Sequence, residues 1–317
     1  MTGTELTFEE AAGIIRRRMA DPAVNRQGPD CGDPCFREPL VGVAAGDDAL
    51  WAFFKKDIGE FFQSPAEAFA EAFPDAPAPA ARLRVISWVL PQTPGTLAAH
   101  KKEKEYPSLP WSRVRHFGEM VNDGLRAHVV EELAARGVRA CAPVLLPSFG
   151  RRTSEKYLFA SSWSERHAAH VAGHGTFGLS DGLITRAGKA HRVGSVVAEC
   201  ALLPTPREYS GHRDWCLFFA KGTCGACARR CPAGSIRTPE EGGRDKQRCF
   251  DYIRGTTQHY VRDHQLGVEV SSCGLCQAGV PCSAGIPRPL LRGAPAASDA
   301  ASDAASGAAP GTASADD

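Results

Sequence analysis

Eight of the twelve cysteines in this 317-residue chain fall between Cys216 and Cys282, in an order suited to iron–sulfur chemistry. The segment TCGACARRCPAG carries Cys224-x2-Cys227-x3-Cys231, followed at once by Pro232. Cys216 lies upstream, Cys249 follows, and SSCGLCQAGVPC adds Cys273-x2-Cys276-x5-Cys282. A [4Fe–4S] cluster takes four thiolates, so eight cysteines make two full sets. Such a pair of clusters moves electrons.

Two other uses of these cysteines compete with this one. A disulfide framework needs an oxidising compartment, and the opening MTGTELTFEEAAGIIRRRMADPAVN lacks the apolar core of a signal peptide. The run Arg16, Arg17, Arg18 is followed by polar residues, which argues against twin-arginine export. The expectation is therefore a cytoplasmic protein. Zinc stays open as an alternative, because paired C-x-x-C units also build tetrahedral sulfur sites. The x2-then-x3 triplet capped by proline favours clusters, and in bacterial two-cluster ferredoxins the last cysteine of that run ligates the other cluster. That wiring assigns Cys216, Cys224, Cys227 and Cys282 to one cluster, and Cys231, Cys249, Cys273 and Cys276 to the other. Two spacings depart from the simple pattern: Lys221 stands three before Cys224, and Ser283 rather than proline follows Cys282. Trp215, Leu217, Phe218 and Phe219 would give Cys216 an apolar cover.

These ligands need a scaffold, and the length suggests about two domains. Hydrophobic content is 43%, and no stretch is apolar for long enough to cross a membrane. With 37 basic and 36 acidic residues the formal charge is +1, which provides no global pull towards nucleic acid or an anionic surface. Lys101, Lys102 and Lys104 alternate with Glu103 and Glu105 and read as a solvated segment.

Three regions are expected: a mixed domain over residues 1–204, the cysteine module over 205–288, and an Ala/Ser/Asp/Gly-rich tail over 289–317 that cannot bury a core. Thr7 with Glu10, and Ser64 with Glu67, spell capping boxes that open helices. LRVISWVL, Leu83 to Leu90, reads as a buried strand. From Trp111 to Arg136 apolar residues recur at helical spacing and Gly137 closes the helix. VRACAPVLL and RVGSVVAECALL read as further strands. Strand, long helix, strand gives an α/β or α+β half with a mostly buried sheet.

Gly173, Gly175 and Gly178 spell G-x-G-x-x-G with Glu199 about twenty residues on, as in a dinucleotide fingerprint. The context opposes it, because SSWSERHAAHVA before the glycines is polar and helical, with Ser164 as N-cap. Close packing against a flat partner is the better use for them. His167, His170 and His174 fall at i, i+3 and i+7, near one helical face, where they could ligate metal, supply protons or simply pack. Cys31 and Cys35 in CGDPC read as incidental, as do Cys141 and Cys200.

The segment SERHAAHVAGHGTFG resembles the E-R-x-x-A-x-x-A-G-x-G-x-x-G run of the epoxyqueuosine reductase and reductive dehalogenase superfamily, with Glu165, Arg166, Gly173, Gly175 and Gly178 at matching places. RVGSVVAE is similar to that group's G-S-hydrophobic strand, CGACARRCPAGSI to its first cluster run, and EPLVGVAAGDDALW to its opening. The likeness spans most of residues 38–288 and is dense in the second half. It implies an α+β protein. Its amino-terminal domain would be built like a flavin-reductase or cobalamin-processing scaffold, followed by a bacterial ferredoxin-like module with two [4Fe–4S] clusters. It also implies cobalamin without a histidine lower ligand, reduced through the clusters by a low-potential donor of ferredoxin or flavodoxin type. Gly173, Gly175 and Gly178 would then lie against that cofactor.

Three departures shape the expected function. The family's acidic proton donor has no counterpart in KYLFASSW, which leaves the catalytic acid unassigned, with Tyr157, His167 and His174 as candidates. The helical-repeat extension that grips tRNA in many members is missing, which with the neutral charge points to a small-molecule substrate. The export signal of respiratory dehalogenases is missing too. The expected activity is an iron–sulfur reductase, with an electron carrier or a corrinoid-activating protein as alternatives.

Overall fold

A run of residues buried on both faces of a sheet leaves no polar alternation, and LRVISWVLP is such a run. In the computed structural model, which describes residues 6–257, 259 and 266–291, Leu83–Pro91 forms strand β2 at the centre of a four-stranded sheet. The elements before it are α1 (Phe8–Ala20), β1 (Leu40–Ala45), α2 (Ala49–Ile58) and α3 (Pro65–Ala72). After it come α4 (Pro94–Lys102), α5 (Leu109–Ala134), β3 (Ala140–Cys141), β4 (Arg151–Ser154), β5 (Leu158–Ser161) and α6 (Glu165–Val171). The hairpin β6 (Gly175–Phe177) and β7 (Leu183–Thr185) leads into β8 (His191–Glu199), and then into α7 (Leu217–Lys221), α8 (Ala226–Arg229) and α9 (Lys246–Gly255).

The sheet order is β1-β2-β8-β3, and every neighbouring pair is antiparallel. The strand–helix–strand unit expected from sequence exists as β2-α5-β3, but β8 inserts between its two strands. The protein is thus mixed α and β, with no adjacent parallel strands among the described residues, an α+β arrangement. β3 holds only Ala140 and Cys141, shorter than VRACAPVLL suggested. Pro143 has no N–H to give the ladder, and the chain turns there into a short 3-10 segment.

Side-chain alternation splits the core into two layers. Ile86, Trp88 and Leu90 of β2, with Val196 and Ala198 of β8, pack under α1 and α5. Leu83 and Val85, with Val197, pack under α2, α3 and α6, where Trp51, Phe54, Phe62 and Trp163 fill the layer. Both capping boxes form, at Thr7/Glu10 and Ser64/Glu67. Helix α5 ends at Gly137, whose φ of 76° suits glycine, with the Val138 N–H closing on the Leu133 carbonyl at 3.0 Å.

The cysteine module is laced onto this sandwich. Thr205 bonds β1 twice, its N–H to the Val43 carbonyl at 2.8 Å and its Oγ1 to the Val43 N–H at 2.9 Å. The Lys101–Glu105 segment keeps its side chains mostly exposed, as expected, and its carbonyls also receive the cysteine module. Arg230 donates to the Glu103 oxygen at 3.0 Å and Tyr252 to the Glu105 oxygen at 2.6 Å. Of the expected tail, residues 292–317 lie outside the described residues. Among the described residues no helix is long and apolar enough to cross a membrane.

Candidate functional site

The local folding of the cysteine segments follows from their short spacings. Cys216 is the N-cap residue of α7, Cys227 sits in the single turn of α8, and Cys231 follows that turn just before Pro232. Cys249 lies on α9, and Cys276 in the 3-10 turn Leu275–Gln277. Gly274 opens that turn at φ 73°, and a methyl there would overlap the Trp111 ring.

Cys216, Cys224, Cys227 and Cys282 line one small cavity. Its other walls are apolar: Leu179 and Ile184 from the β6–β7 region, with Leu217, Phe218 and Val280. Buried Lys189 completes the lining. The remaining four cysteines are within electrostatic reach of one another. Burial pushes the Cys273 thiol up to about 12, and the charges of Cys276, Cys249 and Cys231 add to the shift. Cys227, Cys276 and Cys282 are also raised, in each case first by burial, while Lys189 pulls all three down. Thiolates so crowded repel one another until a cationic core compensates them. Among the described residues no three Cys, His, Asp or Glu side chains close in tightly enough to hold one metal ion. The first four thiols border a space rather than a point.

The motif residues take different places. Glu165 joins three elements: Arg126 Nε of α5 donates to its Oε1 at 3.0 Å, and Ser195 Oγ of β8 to its Oε2 at 2.5 Å. Arg166 donates to the Asp181 carbonyl at 2.7 Å. Desolvation by surrounding protein and the nearby Arg244 charge lower its pKa. Arg244 Nη2 donates to Cys249 Sγ at 3.3 Å, and Lys246, lowered first by burial and further by Arg166 and Arg244, completes a cationic wall.

The three glycines are occupied by the chain itself. A Cβ at Gly175 would overlap the Ile184 carbonyl, one at Gly178 would stand 3.2 Å from Ile184 Cδ1, and one at Gly173, where φ is 83°, would stand 3.0 Å from the Pro206 oxygen. Their observed use is to let β7 and the 205–206 segment approach, so the flat partner expected for them is protein on this side.

The histidines do not share one helix. Gly173 ends α6, which leaves His174 beyond it, with its Nε2 facing the Ser87 carbonyl at 3.1 Å. Burial holds His174 at about 4 and His167 at about 3, so both are neutral at pH 7. His167 Nδ1 bonds Ser164 Oγ at 2.7 Å, and its ring packs between Phe54 and Phe177. Tyr157 differs. Its hydroxyl donates to Asp57 Oδ2 at 2.6 Å, its pKa is raised by burial and then by Asp57, and Lys246 lies 5.0 Å over its ring. Cys35 is buried, donates to the Arg26 carbonyl at 3.1 Å and is pushed up to about 12, which suits a packing role. Asp57, Lys189, Ser180 and Arg244 escaped the sequence reading, because each belongs to the site through a long-range contact that no local spacing announces.

No family model matches the chain, and no curated protein does. Several solved structures are similar at low identity. A selenomethionine-labelled epoxyqueuosine reductase aligns at 16% identity and TM-score 0.39, over 77% of this chain and 61% of its own. An epoxyqueuosine reductase from Bacillus subtilis aligns at 15% and 0.39, over 81% and 64%. A catabolic reductive dehalogenase in complex with 3-bromo-4-hydroxybenzoic acid aligns at 14% and 0.40, over 62% and 23%. The chain thus spans less than two thirds of each of these structures.

Proposed function

We propose that the protein is an iron–sulfur oxidoreductase. Cys216, Cys224, Cys227 and Cys282 hold one [4Fe–4S] cluster, and Cys231, Cys249, Cys273 and Cys276 hold a second. The observation that carries this reading is the shared cavity: four thiols from three separate segments border one apolar-walled space. When bound, such clusters supply one-electron storage and transfer. The cavity walls around the sulfurs are apolar, and burial raises the Cys227 and Cys282 thiols.

Reduction of a small molecule also needs a proton, and Tyr157 is the proposed source. Its hydroxyl keeps its proton at neutral pH, Asp57 orients it, and Lys156 lies where it can offset the charge left on the oxygen. His167 and His174 are poorer candidates, since neither carries a second proton at pH 7. The adjoining cationic wall of Arg166, Arg244 and Lys246 would attract an anionic or strongly polar substrate. A low-potential ferredoxin- or flavodoxin-type protein is the proposed donor. The glycines tied by resemblance to cobalamin pack against the chain itself.

Anaerobic metal analysis with optical spectroscopy tests the reading. About eight irons per chain and a brown chromophore are expected. Zinc in place of iron would overturn it. Adding cobalamin separates the remaining readings: a spectral change with retained cobalt supports a corrinoid reductase, and neither effect favours electron transfer without one.

A further inference from the structure

Lys189 is 2% exposed and lines the cavity bordered by Cys216, Cys224, Cys227 and Cys282. Its Nζ donates to Ser180 Oγ at 3.0 Å, its one hydrogen-bond partner among the described residues, and its backbone N–H donates to the Cys282 carbonyl at 3.0 Å. An ammonium has three donors, so two remain for the cavity. No carboxylate forms an ion pair with it among the described residues. The charges it does feel are thiolates: Cys282, Cys227 and Cys216 from the first set, and Cys276 from the second. A buried cation is costly unless an anion compensates it, and a thiolate-ligated cluster is a net anion in both redox states. Reduction adds one electron to the core, without any bond being made or broken, and so adds one negative charge. A fixed cation beside that core stabilises the reduced form more than the oxidised one, and buried charges are screened little by salt.

We infer that Lys189 is a redox-tuning residue, whose ammonium makes reduction of the cluster held by Cys216, Cys224, Cys227 and Cys282 easier and does the same, less strongly, for the other. The inference rests on the two-cluster reading. Its consequence is that a one-electron donor can charge the first cluster more readily than a neutral cavity would allow.

Redox titration monitored by electron paramagnetic resonance, on the full anaerobically loaded chain, tests it with Lys189→Met, Lys189→Gln and Lys189→Arg. Both neutral variants are expected to make reduction of one cluster at least tenfold less favourable, about 59 mV for a one-electron couple. The second cluster shifts less in the same direction, and Lys189→Arg stays near the parent. Unchanged potentials in iron-replete neutral variants overturn the inference. If neutral variants take up no iron while Lys189→Arg does, the cluster requires the charge and the inference stands. If Lys189→Arg also takes up none, Lys189 is a packing element and the inference falls. A parent chain without iron is a different failure, that of the cluster reading itself.

Discussion

Cys227 and Cys282 border the same cavity, although one sits in the turn of α8 and the other lies beyond the 3-10 turn that holds Cys276. The chain therefore returns to its first cysteine cluster after visiting its second. Replacing Cys227 or Cys276 by Ala should remove one cluster each, leaving about four irons per chain. Loss of both clusters from either variant, or of neither, would contradict the assigned sets.

Gly175 has no room for a side chain. A methyl there would overlap the Ile184 carbonyl, and backbone on both sides of the hairpin cannot yield. Gly175→Ala is expected to destabilise the protein by about 1–3 kcal/mol or more and to lower iron content, because Ile184 walls the cavity. Gly124, inside α5 with open space around it, is the control: Gly124→Ala should stabilise by about 0.5–1 kcal/mol. Thermal unfolding of both variants reads the contrast.

Arg126 is 2% exposed and shares Glu165, Asp123 and Glu119 as partners. Arg126→Met leaves Glu165 buried without its cation, at an expected cost of about 3–5 kcal/mol. Denaturant midpoints measure it. A loss below about 1 kcal/mol would show that Ser195 alone satisfies the carboxylate.

Stability should fall in mild acid. Burial depresses His174 to about 4, below its ordinary 6.5, so below pH 6.5 the unfolded chain binds a proton that the folded chain refuses. The stability present above pH 6.5 is lost progressively as pH falls towards 4. The loss by pH 5 is about 2 kcal/mol for a fully buried ring, by the conversion of 1.36 kcal/mol per unit. His174→Gln should flatten that slope while leaving the value at pH 7 less affected than the value at pH 5 in the parent. Equal slopes in both proteins would remove His174 as the cause.

Tyr157→Phe removes the hydroxyl from Asp57 and is expected to leave iron content unchanged, since Tyr157 is part-buried at the β4–β5 turn and its hydroxyl bonds Asp57 rather than a cluster cysteine. Spectrophotometric titration at high pH should lose one phenol that ionises above the ordinary tyrosine range, because burial and Asp57 both raise it. An unchanged titration would mean that the hydroxyl is free of Asp57.

Local chemistry was legible in the sequence. The capping boxes at Thr7 and Ser64, the closure of α5 at Gly137 and the buried run of β2 each depend on residues a few positions apart, and each formed where expected. Long-range order was not. Nothing near Leu83 or Val138 reveals that β8 would slide between β2 and β3. The i, i+3, i+7 spacing of His167, His170 and His174 suggested one helix, but Gly173 in a left-handed conformation ended it first. Lys189 sits in GLITRAGKAH, a segment without periodicity, and joins the cysteine cavity only through the fold.

The most direct measurement is the iron anomalous map of anaerobic crystals of the full chain. It should show two separate four-iron centres, one bound by Cys216, Cys224, Cys227 and Cys282 and the other by Cys231, Cys249, Cys273 and Cys276. A single centre, zinc at either position, or a cluster drawing its ligands from both sets would contradict the account.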